Sequence, residues 1–201
     1  MLQNGTVING VQIHKPKRLL TASTIATQII TAVASSQYGG TTISLTHLAP
    51  FVRSSYEFYK EKYQHRNLSP QQIEQYAKED LDKEISDAVQ TFNYQINSMS
   101  TTNGQAPFLS VLMWIEEDPE YIEENILLIK EFLKQRIEGM PNEQGIFVTP
   151  AFPKLLYILD ENNITPSSKY WEITELAAKC TAKRMVPDYI SAKKMREYKI
   201  N

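Results

Sequence analysis

The sequence predicts an α/β protein in which a helical hairpin and a long helix come first and parallel β-α-β-α units follow. Apolar residues recur at helical spacing through most of the first half. Between residues 106 and 159 they gather into nearly continuous runs, the pattern of strands buried on both faces. Such runs then alternate with helical stretches, as parallel strands joined by crossover helices do.

The first helix is expected over residues 23–37, where Ala26, Ile29, Ile30 and Val33 share a face and Tyr38-Gly39-Gly40 ends the run. The second carries Phe51, Val52, Tyr56, Tyr59 and Tyr63, with Pro50 tolerable only in its first turn. So few residues separate the two that an antiparallel hairpin is expected. The third has the clearest start: Ser69 as N-cap, Pro70 at the first helical position and Gln72 closing a capping box. Its apolar face runs from Ile73 to Met99 and stops at Asn103-Gly104, about 34 residues or roughly 50 Å.

A buried strand follows over 106–115, then a helix with Asp118 as cap, Pro119 first and Gly139 as stop. Residues 146–152 and 154–159 form a second apolar run, one strand bent or broken at Pro150 and Pro153. The last helices are expected over 170–185 and 192–199, split by Pro187. All 201 residues suit one domain, with a helical hairpin at 1–66 and α/β units at 67–201.

At this length roughly 70% of the unfolded chain's surface can be buried, so a core forms without disulfides or metals. A net charge of −2 argues against a broad nucleic-acid footprint but leaves room for a local anion site. One cysteine, Cys180, forms no intrachain disulfide, so a cytoplasmic location is expected. No run of apolar residues approaches the roughly 20 of a membrane helix, and no membrane partner is expected. The N-terminus has no signal-peptide pattern.

Walker, GxGxxG and GxSxG patterns are absent, and His14, His47 and His65 lack neighbours at metal-ligand spacing. Cys180 lies mid-helix beside Ala177 and Ala178, where a free cysteine behaves as a small core hydrophobe. Lys179 and Lys183 follow Glu175 at helical spacing, the pattern of a solvated ion-pair ladder. Arg184 is open to a second role, since arginine grips phosphate oxygens bidentately. Two polar stretches stand out: residues 36–42 at the first turn, and residues 101–108 directly before the buried strand. Turn chemistry accounts for either taken alone.

Four motifs carry a resemblance. Ala34-Ser35-Ser36-Gln37-Tyr38-Gly39-Gly40, Thr102-Asn103-Gly104-Gln105-Ala106-Pro107-Phe108, Thr149-Pro150-Ala151-Phe152-Pro153-Lys154 and the helical segment 175–185 resemble anaerobic ribonucleoside-triphosphate reductase, the class III, glycyl-radical family. The similarity runs in order across essentially the whole chain. It implies an internal piece of a ten-stranded glycyl-radical-type barrel, taking part in radical reduction of ribonucleoside triphosphates. The family's two active-site cysteines, its glycyl-radical loop, its zinc site and its ATP cone match nothing in these residues. No catalytic residue, metal ligand or cofactor is therefore assigned to this chain, and it is not expected to turn over alone.

The resemblance also implies a homodimer through the helical hairpin, with deoxynucleoside triphosphate or ATP effectors bound at that interface. Lys17, Gln28 and Lys60 match positions that contact the effector; His14 stands where the family has an acidic residue. An antiparallel hairpin would set Gln28 near Lys60, and the segment 14–18 would bring cations to a helix N-terminus that favours anions. Asn103, Gln105 and Ser110 are expected to line the substrate end of the barrel, with Arg184 as a further candidate there. The remaining parts of the reductase and a radical-SAM activase are the other partners the resemblance implies. A catalytically inactive dimeric nucleotide-binding module and a split gene product remain as alternatives.

Overall fold

The structure, a computed structural model, describes residues 1–36, 40–101, 104 and 106–198. Gln37, Tyr38, Gly39, Thr102, Asn103 and Gln105 lie outside the described residues, and so do 199–201. The chain forms two compact units. The first takes Met1–Tyr38 and His47–Pro107; the second takes Gly39–Thr46 and Phe108–Asn201. The expected boundary after residue 66 is therefore not where the units part, because the long helix belongs with the first helices.

The first unit opens with a small antiparallel hairpin, β1 (Thr6–Ile8) and β2 (Val11–Ile13). Three helices follow: α1 (Leu19–Ser36), α2 (Ala49–Gln64) and α3 (Pro70–Ser98). Helix α1 starts four residues before the expected position, since Leu19 and Ala22 are already buried. By length and composition α1 could cross a membrane. This departs from the expectation that no run is long and apolar enough; a third of the helix is buried, and Ser23 on that face donates to the Ala88 carbonyl of α3 at 2.8 Å. The capping box forms as expected: Ser69 Oγ accepts from the Gln72 amide, and the Gln72 side chain accepts from the Ser69 amide.

Contacts fix the directions of the three helices. Leu20 meets Glu84, Ser23 meets Ala88 and Thr27 meets Gln95, so α1 and α3 run parallel. Tyr63 meets Asp80, and Tyr59 lies against Glu84, so α2 runs antiparallel to both. The directly linked hairpin is thus α2–α3, whereas a strand separates α1 from α2. The core of this unit contains Ile30, Phe51, Val52, Ile85, Val89, Phe92 and Ile96.

In the second unit β3 (Thr41–Ser44), β4 (Leu109–Met113), β7 (Lys154–Leu159) and β8 (Asp188–Ser191) form a wholly parallel sheet in that order. Helix α4 (Ile122–Glu138) follows β4, α5 (Trp171–Arg184) follows β7, and α6 (Ala192–Glu197) follows β8. The expected bent strand resolves into two elements. β6 (Phe147–Val148) pairs with β5 (Met140–Pro141) in a small antiparallel ribbon, and β7 alone joins the main sheet.

Leu109, Val111 and Met113 alternate with half-buried Ser110 and Leu112 along β4. Met113 is in register with Tyr157, whose hydroxyl lies 2.9 Å from the Thr174 hydroxyl on α5. The fully buried set therefore faces the helices, where Leu128, Ile129, Phe132, Ile173 and Ala177 complete the core. Asn125 Nδ2 ties α4 to the end of β4 by donating to the carbonyls of Trp114 and Ile115, at 2.7 and 3.2 Å.

Candidate functional site

The candidate effector residues all lie in the helical unit. His14, Lys15 and Lys17 are exposed on the stretch between β2 and α1, while Pro16 between them is buried. Arg18 turns inward, its guanidinium 4.9 Å from the Phe58 ring centroid and 5.6 Å from that of Tyr59. Its Nε lies 3.4 Å from Glu84 Oε1 on α3. A cleft of about 450 Å³ opens here, lined in part by Arg18, Phe58, Tyr59, Lys62, Asp80 and Glu84.

The N-terminus of α1 is not a free anion site, which corrects the expectation from helix polarity. The Leu19 amide donates to Ser55 Oγ at 2.9 Å, and the Leu20 amide donates to Glu84 Oε1 at 3.1 Å. A carboxylate of the protein already sits at the positive end of the helix.

Lys60 lies on α2, with its ammonium 3.7 Å from Glu74 and 5.4 Å from the Tyr56 ring centroid. Burial first, and then the hydrogen-bonded Glu74, raise the Tyr56 hydroxyl to about 12. Both partners of the Lys60–Glu74 pair are about two-fifths exposed, so the pair is weak and the ammonium can leave it for a phosphate. Arg18 lies over Phe58 and Tyr59, so the segment that carries Lys17 reaches α2 just before Lys60 in sequence, while the Lys60 ammonium itself turns to Glu74 of α3.

Gln28 does not join them within one chain. Because α1 begins at Leu19, Gln28 falls in its third turn, about 13 Å further along the axis and away from the Lys60 level. It is exposed.

Of the residues expected at the substrate end, Asn103 and Gln105 lie outside the described residues. Ser110 is half-buried on the sheet face opposite the helices, between Thr42 on β3 and Lys154 on β7. Arg184 is elsewhere, at the last residue of α5. Its Nε donates to the Ile137 carbonyl at 3.0 Å, and its other nitrogens reach the carbonyls of Glu138 and Phe147. It closes the C-terminus of α4, where a side chain at Gly139 would approach its guanidinium to 2.6 Å. Its donors are engaged with main chain on the helix side, so it does not line the sheet face with Ser110. Lys179 and Lys183 are exposed.

Cys180 is fully buried, and burial pushes its thiol up. It is packed as a core side chain. Among the described residues no cluster of His, Cys, Asp and Glu is placed to hold a metal ion.

Two further charges are buried. Glu84 is 4% exposed, and Arg136 on α4, also 4% exposed, donates to the carbonyls of Pro150 and Pro153 at 3.2 and 2.7 Å. Burial lowers the Arg136 guanidinium to about 10. The available signal was a charge inside an apolar stripe: Glu84 between Leu81 and Ile85, Arg136 beyond Phe132 and Leu133.

The chain matches the anaerobic ribonucleoside-triphosphate reductase family along residues 1–201. It is 35% identical to the anaerobic ribonucleoside-triphosphate reductase of Enterobacteria phage T4, over 96% of this chain and 31% of that protein. The Escherichia coli reductase of the same name is 34% identical, over 95% of this chain and 26% of that protein. The chain thus spans about a quarter to a third of the relatives it matches. Among solved structures it resembles the anaerobic ribonucleotide reductase of Thermotoga maritima in complex with dATP and CTP. That match has a TM-score of 0.60 and 15% identity, covering 95% of this chain and 31% of that one. The parallel sheet fits that barrel region, and with a family match along its whole length the chain belongs to the anaerobic ribonucleoside-triphosphate reductase family.

Proposed function

We propose that this chain supplies the effector-binding helices and part of the barrel wall of a cytoplasmic reductase that converts ribonucleoside triphosphates to deoxyribonucleoside triphosphates. One observation supports the effector assignment: Arg18, next to Lys17, packs on Phe58 and Tyr59 of α2, the residues just before Lys60. Exposed Lys17 and half-exposed Lys60 on successive elements suit a triphosphate, and His14 would meet its sugar or base. Gln28, too far along α1 to reach the same ligand within one chain, would come from a second copy in a dimer formed through these helices. A related structure, that of the Thermotoga enzyme, holds dATP in its specificity site. On the sheet, Ser110 would line the substrate end, with Asn103 and Gln105 as neighbours.

Radical reduction needs a thiol exposed to the substrate, and Cys180 is fully buried. The chain therefore acts through the remaining parts of the reductase, which supply the thiyl cysteine, the glycyl radical and the zinc site, with a radical-SAM activase generating the radical. Without them it is a dimeric nucleotide-binding module.

Calorimetric titration with each of the four deoxynucleoside triphosphates tests this reading. Binding is expected in the wild type, with affinity at least tenfold weaker in a Lys17→Ala, Lys60→Ala double variant, as loss of two phosphate contacts implies. No binding, or binding indifferent to both lysines, overturns it.

A further inference from the structure

We propose that Glu84 is a positioning residue for effector binding: from α3 it fixes the first turn of α1 and so sets where Lys17 stands, a role that rests on the reading of Lys17 as an effector contact. Three successive residues are held from outside α1. Arg18 is drawn to Glu84 and stacked on Phe58 and Tyr59, the Leu19 amide is taken by Ser55, and the Leu20 amide is taken by Glu84. Lys17 is the next residue back, and buried Pro16 pins its other side. The backbone at Lys17 is therefore placed by α2 and α3 together.

Electrostatics make Glu84 the stiffest of these contacts. The residue is 4% exposed, and its second oxygen, Oε2, makes no hydrogen bond. Its charge is met by the Leu20 amide, the positive end of α1 and Arg18, with the Tyr59 hydroxyl of α2 beside it. If the first turn of α1 moved away, the carboxylate would lose the Leu20 amide and Arg18 and stay buried with only the Tyr59 hydroxyl beside it, which is strongly unfavourable. The carboxylate and the helix start hold each other in place, and the lysine that precedes them inherits the fixed geometry.

The test uses the 201-residue chain as Glu84→Gln and Glu84→Ala variants, at a temperature where thermal melting shows them folded. Glutamine keeps an acceptor for the Leu20 amide and drops the charge; alanine drops both. Amide hydrogen exchange over residues 14–20 should rise in Glu84→Gln and rise further in Glu84→Ala. Deoxynucleoside triphosphate affinity should fall in the same order, by about tenfold in Glu84→Ala. A purely structural Glu84 would lower the melting temperature and leave the affinity of the folded protein unchanged, which overturns the proposal. Tighter binding in Glu84→Gln also overturns it, since the carboxylate would then oppose the ligand. If the wild type binds no deoxynucleoside triphosphate, the effector reading fails by itself. Exchange over residues 14–20 then decides the positioning role, and no change there in Glu84→Gln overturns it even where Glu84→Ala does not fold.

Discussion

In the helical unit, buried polar side chains reach from one helix to the backbone of another. Ser55 and Glu84 take the amides of Leu19 and Leu20, and Ser23 donates to the Ala88 carbonyl. In the α/β unit they gather where strands end: Asn125 at the end of β4, Asn163 on the Ile158 carbonyl, and Arg136 on the carbonyls of Pro150 and Pro153. The difference follows from backbone geometry. A helix satisfies its own interior, so its free amides lie in the first turn and must be met from a neighbour. A sheet satisfies its strands through one another, so its unmet groups lie where the ladder stops. The helical unit therefore ties its helix start to two other helices, and the residues proposed to bind the effector adjoin that tie.

The largest expected effect lies on the α/β side. Arg136→Met removes a buried guanidinium and strands two carbonyls, and should destabilise this unit by about 3 kcal/mol in chemical denaturation. A loss below about 1 kcal/mol would mean that relief of the buried charge offsets the lost bonds.

On the helical side the matching change is smaller. Ser55→Ala leaves the Leu19 amide without its acceptor, and a loss of about 1 kcal/mol is expected, the usual worth of a helix-start acceptor. Exchange at the Leu19 amide should rise while residues 85–92 of α3 stay protected. Equal exchange throughout would show the junction to be spread more evenly than described.

Each unit also carries an acid-labile ion pair. The Arg196 guanidinium, hydrogen-bonded to both oxygens of Asp160, holds that carboxyl below the usual aspartate range. The Lys62 ammonium, 2.6 Å away, does the same for Asp80. A carboxyl with a depressed folded-state value stabilises above its unfolded pKa of about 3.9, and that stability is lost as pH falls through the folded value. The denaturation midpoint should thus fall below about pH 4, and Asp160→Asn and Asp80→Asn should each flatten the decline. The effect is the smallest of the three, because solvent screens both pairs. It should be greater for Asp160, which is 17% exposed against 31% for Asp80.

The sequence made α2 and α3 legible because their starts are written locally, by Pro50 and by Ser69 with Gln72. It made β4 and β7 legible because central strands need apolar side chains on both faces. β3 and β8 left no such trace. They are the edges of the four-stranded sheet, short and half-polar, as Thr41–Ser44 and Asp188–Ser191 show. Missing β3 made α1 and α2 look like a simple hairpin, and starting α1 at Ser23 brought Gln28 too near its beginning. At the site, Lys17 and Lys60 are named by the resemblance rather than by a local pattern. Glu84 was not legible, because its role depends on which helix end the third helix meets.

If the effector site is shared between two copies, a mixing titration of complementary variants will restore it. A Lys17→Ala, Lys60→Ala chain keeps Gln28; a Gln28→Ala chain keeps both lysines. Each alone should bind deoxynucleoside triphosphate weakly. After unfolding and refolding together in equal amounts, half the dimers should be mixed, each holding one intact site. About a quarter of the wild-type sites should then return at wild-type affinity. Binding in the mixture no better than in either variant alone would contradict a site built from two copies.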